Sequence, residues 1–218
     1  MNKVFLILLG LMISLSAFSQ DIYMPDDNLR LALIKEGVDQ NGDGKIQEFE
    51  VFLVEKLNLS GRNISNMEGI QYFLNLIDLD CSNNNLTKLD ISRCQTIQIL
   101  KCNNNKLTKL DLSQQLDLTN LNCSGNQLKS VNISKNRALL KLNCMANQLD
   151  SINVLNNKNL TTFNCSTNNL AELDISKNTK LKELICNHNP FAKIFINEAQ
   201  QTGITITKDD AAVLEVVK

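Results

Sequence analysis

Between residues 76 and 196, apolar side chains fall into registers that repeat every 21 residues. One register reads Leu76, Ile97, Leu118, Leu139, Leu160 and Leu181, and another reads Leu79, Leu100, Leu121, Leu142, Phe163 and Leu184. Three more begin at Leu86, Leu89 and Ile91 and keep step as far as Phe191, Ile194 and Ile196. Interleaved with them are a cysteine register (Cys81, Cys102, Cys123, Cys144, Cys165, Cys186) and an unbroken asparagine register (Asn84, Asn105, Asn126, Asn147, Asn168, Asn189). No unit of this length can bury so many apolar groups alone, whereas stacked copies bury each against its neighbours, so the pattern predicts a solenoid. The Leu-x-Cys step has period two, which points Leu79 and Cys81 inward from a short strand with Asp80 outward, and successive coils then pair as a parallel sheet. Asparagine stands where the chain leaves that strand, and its amide carries the donors and acceptor needed to satisfy buried turn backbone. About ten residues remain for the other side of each coil, too few for a helix with two connections. Extended or 3₁₀ structure is expected there, with a second narrow parallel sheet as the alternative.

The unit L-x-x-L-x-C-x-x-N-x-L-x-x-L-x-[ILV]-S resembles the leucine-rich repeat, in its short 21-residue bacterial class. The second half of that class stands here as Leu89-Asp90-Ile91-Ser92, Leu110-Asp111-Leu112-Ser113 and Leu173-Asp174-Ile175-Ser176. The resemblance implies an α/β, right-handed solenoid with parallel strands on its concave face and little helix. Residues 54–75, with Val54, Leu57, Leu59, Ile64 and Met67, read as a first, irregular repeat, so the repeat region is 54–196.

The flanks carry different signals. Lys3, an apolar run from Val4 to about Leu15 and the small-residue end Ala17-Phe18-Ser19 have the form of a secretory signal peptide over residues 1–19. That run is short for a bilayer span, so no transmembrane segment is expected, and the protein is placed in the periplasm, at the cell surface or outside the cell. Residues 20–53 form an N-terminal cap. Within it, Asp39-Gln-Asn-Gly-Asp-Gly-Lys-Ile-Gln-Glu-Phe-Glu50 fits the EF-hand calcium-loop pattern D-x-[DN]-x-[DN]-G-x₅-E in full. Asp39, Asn41 and Asp43 would offer side-chain oxygens, Lys45 its carbonyl, Gln47 a direct or water-mediated contact, and Glu50 two oxygens to one calcium ion. A helix capped by Asp26 or Asp27 and stopped at Gly37 should precede the loop, and a second should begin near Gln47. A lone loop of this kind reads as a structural staple with a Kd of about 10⁻⁴ to 10⁻³ M. The order of Met-Pro-Asp-Asp-Asn-Leu, the loop, Asn-Leu-Ser and Asn-Met-Glu-Gly-Ile ahead of the repeats resembles secreted leucine-rich-repeat proteins of the Bacteroidetes. Residues 197–218 form a C-terminal cap, whose alternating segments at Ile204 and Val213 predict closing strands or a hairpin.

Parallel in-register strands hold neighbouring cysteines side by side, an orientation that does not suit a relaxed bridge, so the six ladder cysteines are expected to be free, buried thiols. Cys94 falls in a variable column with Gln115, Asn136, Asn157 and Asn178 and reads as a surface turn position. The outward strand columns form the candidate partner surface: Asp78, Ile99, Asn120, Lys141, Thr162 and Glu183, beside Asp80, Lys101, Asn122, Asn143, Asn164 and Ile185. These are small and mostly polar. The chain has no Trp, and 22 basic against 23 acidic residues leave no basic stripe for nucleic acid. His188 is the one histidine, with no nucleophile and orienter arranged around it, so no enzyme is expected. The residues therefore predict a secreted, monomeric, non-enzymatic module that binds a bacterial or host protein on its concave face, with calcium stabilising the cap. The alternative is a calcium-dependent cell-envelope assembly module without a dedicated partner.

Overall fold

The computed structural model describes residues 20–217, so the expected signal peptide lies outside the described residues. The cap opens with helix α1 (Asp27–Lys35), which turns Leu29, Ala32 and Leu33 into the core. Asp26 caps it, accepting hydrogen bonds from the N–H groups of Asn28 at 2.9 Å and Leu29 at 3.1 Å. The other carboxylate oxygen of Asp26 accepts from Ser65 N–H at 2.7 Å, the Ser65 hydroxyl at 2.7 Å and Asn66 N–H at 2.9 Å, which fastens the cap to the first coil. Gly37, at φ 81°, ends the helix in a left-handed conformation that costs glycine little. Helix α2 (Glu48–Val51) is a single turn begun at Gln47 through a capping box with Glu50.

The stack then proceeds through strands β1 (Lys56–Asn58), β2 (Asp78–Asp80), β3 (Ile99–Lys101), β4 (Asn120–Asn122), β5 (Lys141–Asn143), β6 (Thr162–Asn164), β7 (Glu172–Asp174), β8 (Glu183–Ile185), β9 (Lys193–Ile196), β10 (Thr205–Thr207) and β11 (Val213–Val216). A last helical turn, α3 (Gln200–Gly203), separates β9 from β10. Eight strands form one parallel sheet in the order β1-β2-β3-β4-β5-β6-β8-β10, and on the other side β11-β9-β7 form a second. The register follows the repeat, with Leu79 against Leu100, Leu100 against Leu121 and so on. The second sheet is confined to the last coils. In the earlier ones the same segment is extended chain outside any sheet or helix, and the 3₁₀ helix Ile70–Tyr72 lies in the irregular first coil.

The asparagine register is a hydrogen-bonded ladder. Asn105 Nδ2 donates to Cys81 O in the preceding coil at 3.0 Å and to Cys102 O in its own at 3.1 Å, while its Oδ1 accepts from Leu86 N–H at 3.0 Å. Asn126, Asn147 and Asn168 repeat this set, and at the far end Asp209, in the turn column ahead of the ladder, accepts from the N–H of Asn189 at 3.1 Å. The residue before each ladder asparagine is left-handed, with φ near 55° at Asn83, Asn104, Gly125, Ala146, Thr167 and His188. His188 is thus an exposed member of a turn column.

The cysteines are all free and buried, and Cys94 corrects the surface expectation. Its column faces inward and makes a second ladder. Gln115 Nε2 donates to Ile91 O at 2.8 Å and Cys94 O at 3.2 Å, and Asn136, Asn157, Asn178 and Gln200 make the same pair of bonds to the coil before. Cys94 begins the series, its thiol donating to Ile70 O at 3.3 Å. The column varies in sequence because each coil needs only an inward donor there, and thiol and amide both supply one. At the C-terminus, of the two expected alternatives, closing strands are present. β10 and β11 do not pair as a hairpin, because each continues a different sheet in parallel, against β8 and β9. Leu214 and Val216 stand opposite the core residues Ile194 and Ile196, yet remain 38% and 37% exposed, with no further coil over them among the described residues.

Candidate functional site

In the loop at residues 39–50, side chains close turns around two left-handed glycines, Gly42 at φ 75° and Gly44 at φ 80°. Asp39 accepts from Gly42 N–H at 2.7 Å and Gly44 N–H at 2.9 Å. Asn41 Oδ1 accepts from Asp43 N–H and Asp43 Oδ1 from Lys45 N–H, each at 2.9 Å. Ile46 is buried and anchors the loop to the core. Glu50 is also fully buried and accepts from the N–H groups of Gln40 at 2.8 Å, Asn41 at 3.3 Å and Gln47 at 2.9 Å.

Two amide groups stand among the acidic oxygens. Asn41 Nδ2 donates to Asp43 Oδ2 at 3.3 Å and Gln47 Oε1 at 3.2 Å, and Gln47 Nε2 donates to Asp43 Oδ2 at 2.8 Å. The loop thus brings Asn41, Asp43 and Gln47 into mutual contact, whereas Asp39 and Glu50 are turned to backbone amides. Among the described residues, no three His, Cys, Asp or Glu side chains are gathered closely enough to hold a metal ion. The chemistry of the set still suits a hard cation. Every candidate donor is an oxygen, and Asp39, Asp43 and Glu50 have no ion-pair partner among the described residues. Rotation of the Asn41 and Gln47 amides would exchange nitrogen for oxygen toward Asp43.

The concave strands form a shallow trough of about 360 Å³ across β3, β4, β5, β6 and β8. Ten of the twelve outward positions named from the sequence line it, while Asp78 and Asp80 lie beyond it beside Lys56 of the first coil and Glu36 of the cap. Several polar groups of the outward columns are already engaged. Asp80 Oδ1 accepts from the Ser82 hydroxyl at 2.6 Å, and Asn122 and Asn164 hold Ser124 and Ser166 in the same way at 2.7 Å. Lys101 lies 3.4 Å from Asp80, whereas Lys141 has no ion pair among the described residues. Lys141 and Glu183 are exposed and flank the half-buried Asn143, Thr162 and Asn164.

A second concavity, of about 490 Å³, lies on the flank where cap meets stack and is lined by Glu48, Phe49, Phe52, Tyr72, Leu74 and Arg93. The Arg93 guanidinium sits 5.5 Å from the centre of the Tyr72 ring. Sequence reasoning missed this patch. Its signal was the unbroken apolar run Val51-Phe52-Leu53-Val54, since α2 is too short to turn all four toward the core, and Phe52 and Leu53 are left 59% and 77% exposed.

With strands, ladders and trough in place, the likeness to solved structures is specific. The functional domain of InlJ from Listeria monocytogenes, described as including a cysteine ladder, superposes with a TM-score of 0.75 at 28% identity over 92% of this chain. The fold is a leucine-rich-repeat solenoid. An internalin from the same species aligns with a TM-score of 0.63 at 17% identity, covering 93% of this chain and 75% of its own. A leucine-rich-repeat protein of Leptospira interrogans gives 0.55 at 19% identity, covering 78% of this chain and 58% of its own. This chain spans 49% of the InlJ domain. No protein-family model matches the sequence, nor does any curated protein. Among the described residues, no helix is long and apolar enough to cross a membrane.

Proposed function

We propose that this leucine-rich-repeat protein is an exported, non-enzymatic scaffold of the bacterial cell surface that docks a protein partner in its concave trough, with calcium stapling the N-terminal cap. The observation that carries the reading is the trough itself, a continuous strand-lined depression to which ten of the outward repeat positions contribute. Solenoid curvature builds such extended contact surfaces. Its small polar walls and exposed lysines suit a broad, modest-affinity contact, since the aromatic anchors of tight interfaces are missing from it. The calcium element draws on the all-oxygen donor set and on the absence of basic partners for Asp39, Asp43 and Glu50 among the described residues.

The test is capture of partners from bacterial envelope or host-surface fractions by the wild-type protein and by a Lys101→Glu, Lys141→Glu variant. Loss of capture with an unchanged Tm supports the trough as the contact, and equal capture by the variant refutes it. Calcium is tested separately by melting with calcium and with chelator. At 10 mM calcium, a site with a Kd of about 10⁻⁴ to 10⁻³ M stabilises by about 1.4 to 2.7 kcal/mol. That corresponds to a rise of roughly 3 to 11 °C, which Asp39→Ala with Glu50→Ala should abolish. A melting curve indifferent to calcium would rule out the staple.

A further inference from the structure

The arm ahead of α1 lies along the calcium loop. Ile22 N–H donates to Ile46 O at 2.8 Å, Glu48 N–H donates to Gln20 O at 3.4 Å, and Asp21 pairs with Gln47 as an antiparallel bridge. These backbone bonds place the Asp21 carboxylate over two candidate ligand positions. Its Oδ2 is 2.5 Å from Lys45 Nζ, and its Oδ1 accepts from Gln47 Nε2 at 3.3 Å. The same Gln47 nitrogen donates to Asp43 Oδ2 at 2.8 Å, so one amide bridges an arm carboxylate and a loop carboxylate.

We propose that Asp21 is a positioning residue of the calcium site, and that the occupied loop clamps the arm Gln20–Ile22 in return. The inference rests on the calcium reading given above. Two physical roles converge on this one carboxylate. A cation held by Asp43 displaces the Gln47 N–H from Asp43 Oδ2, and Asp21 supplies the acceptor that this N–H then needs, since a donor left unpaired in a buried place is costly. Lys45 also puts an ammonium beside a cation site, and Asp21 neutralises it. Calcium affinity in such loops follows the charge count and rigidity of the site, and Asp21 contributes to both.

The experiment is calcium titration by calorimetry of the purified protein and of Asp21→Asn, Asp21→Glu, Lys45→Met and the double variant Asp21→Asn, Lys45→Met. It is paired with hydrogen exchange at the Ile22 amide with calcium and with chelator. Asp21→Asn should weaken calcium about tenfold, Asp21→Glu should stay within about twofold of wild type, and removal of Lys45 from the Asn variant should recover most of the loss. Protection of the Ile22 amide should rise with calcium in wild type and stay flat in Glu50→Ala. Asp21→Asn binding as tightly as wild type, or Ile22 protection indifferent to calcium in a protein that binds it, would overturn the proposal. A wild-type protein that binds no calcium would instead bring down the calcium reading itself. Should Asp21→Asn fail to fold, the Asp21→Glu affinity and the wild-type exchange data decide.

Discussion

Replacing Asn126 with Ala should cost about 3 kcal/mol, and the hydrogen bonds around it show where that comes from. Asn126 Oδ1 accepts from Leu107 N–H at 3.0 Å, and no other acceptor reaches that amide within the core. Orphaning it costs about 1 to 3 kcal/mol. Asn126 Nδ2 donates to Cys102 O at 3.0 Å, Cys123 O at 3.1 Å and Ser124 O at 3.2 Å. These acceptors keep other donors, because Asn105 also serves Cys102 O, Asn147 serves Cys123 O and Asn104 N–H serves Ser124 O. Their loss therefore adds only the net worth of ordinary hydrogen bonds, about 1 kcal/mol in all once partial rescue is allowed for. The total predicts a Tm lower by roughly 6 to 12 °C for a chain of this size. Asn157→Cys is the matched control in the second ladder. Asn157 is completely buried, but its Oδ1 has no partner, and the carbonyls it serves, Ile133 O and Asn136 O, also receive the N–H groups of Asn136 and Leu139. A thiol already fills this column at Cys94, so the exchange should cost less than about 1 kcal/mol. Urea unfolding of both variants measures the difference. Equal costs, or less than 1 kcal/mol for Asn126→Ala, would refute the assignment of ladder stability to the orphaned amide.

Burial pushes the thiols of Cys81, Cys94, Cys123 and Cys186 up to about 12 and those of Cys102, Cys144 and Cys165 well above their ordinary value. No cysteine should react with a disulfide reagent at pH 8 in the folded protein, whereas all seven should titrate in denaturant; one thiol reacting at full stoichiometry in the native protein would contradict the inward columns. For Asp26, burial raises the carboxyl pKa, but hydrogen bonds from the Ser65 side chain and from the Ser65, Asn66 and Leu29 amides outweigh it and hold the group below the usual carboxylate range. Its stabilising contribution is therefore complete above the ordinary Asp value of about 4 and is lost as pH falls through the lower folded value. Between pH 6 and pH 3 the wild-type Tm should drop further than that of Asp26→Asn, and parallel curves would show that Asp26 does not fasten the cap.

The repeat architecture was legible because a period of 21 residues forces every apolar column, the cysteines and the first asparagine ladder into register. The cap helix was equally readable from Asp26 and Gly37. Cys94 misled because its column mixes thiol with amide, and composition alone resembles a turn when the shared property is an inward donor. The C-terminal segments were legible as closing strands but not in their pairing, because alternation identifies a strand without choosing its neighbour, and in a growing stack the neighbour is the coil before. The flank patch was hidden for a different reason. A helix beginning near Gln47 was expected without a stated end, and only its one-turn length leaves Phe52 and Leu53 outside. On the concave face, the outward columns were identified correctly as positions. Their internal engagement, such as Asp80 holding Ser82, depends on the turn that follows each strand.

Besides the bonds within its own coil, each ladder amide reaches back to the coil made before it and not forward to the next. Asn105 serves Cys81 O and Leu86 N–H, and Asn126 serves Cys102 O and Leu107 N–H. A coil added at the C-terminal end of the stack therefore meets acceptors that are already in place. The Leu86 or Leu107 amide needs just one further coil to be satisfied. In a stack grown from its N-terminal cap the unfinished surface is always the newest one, whether the chain arrives from a ribosome or across a membrane.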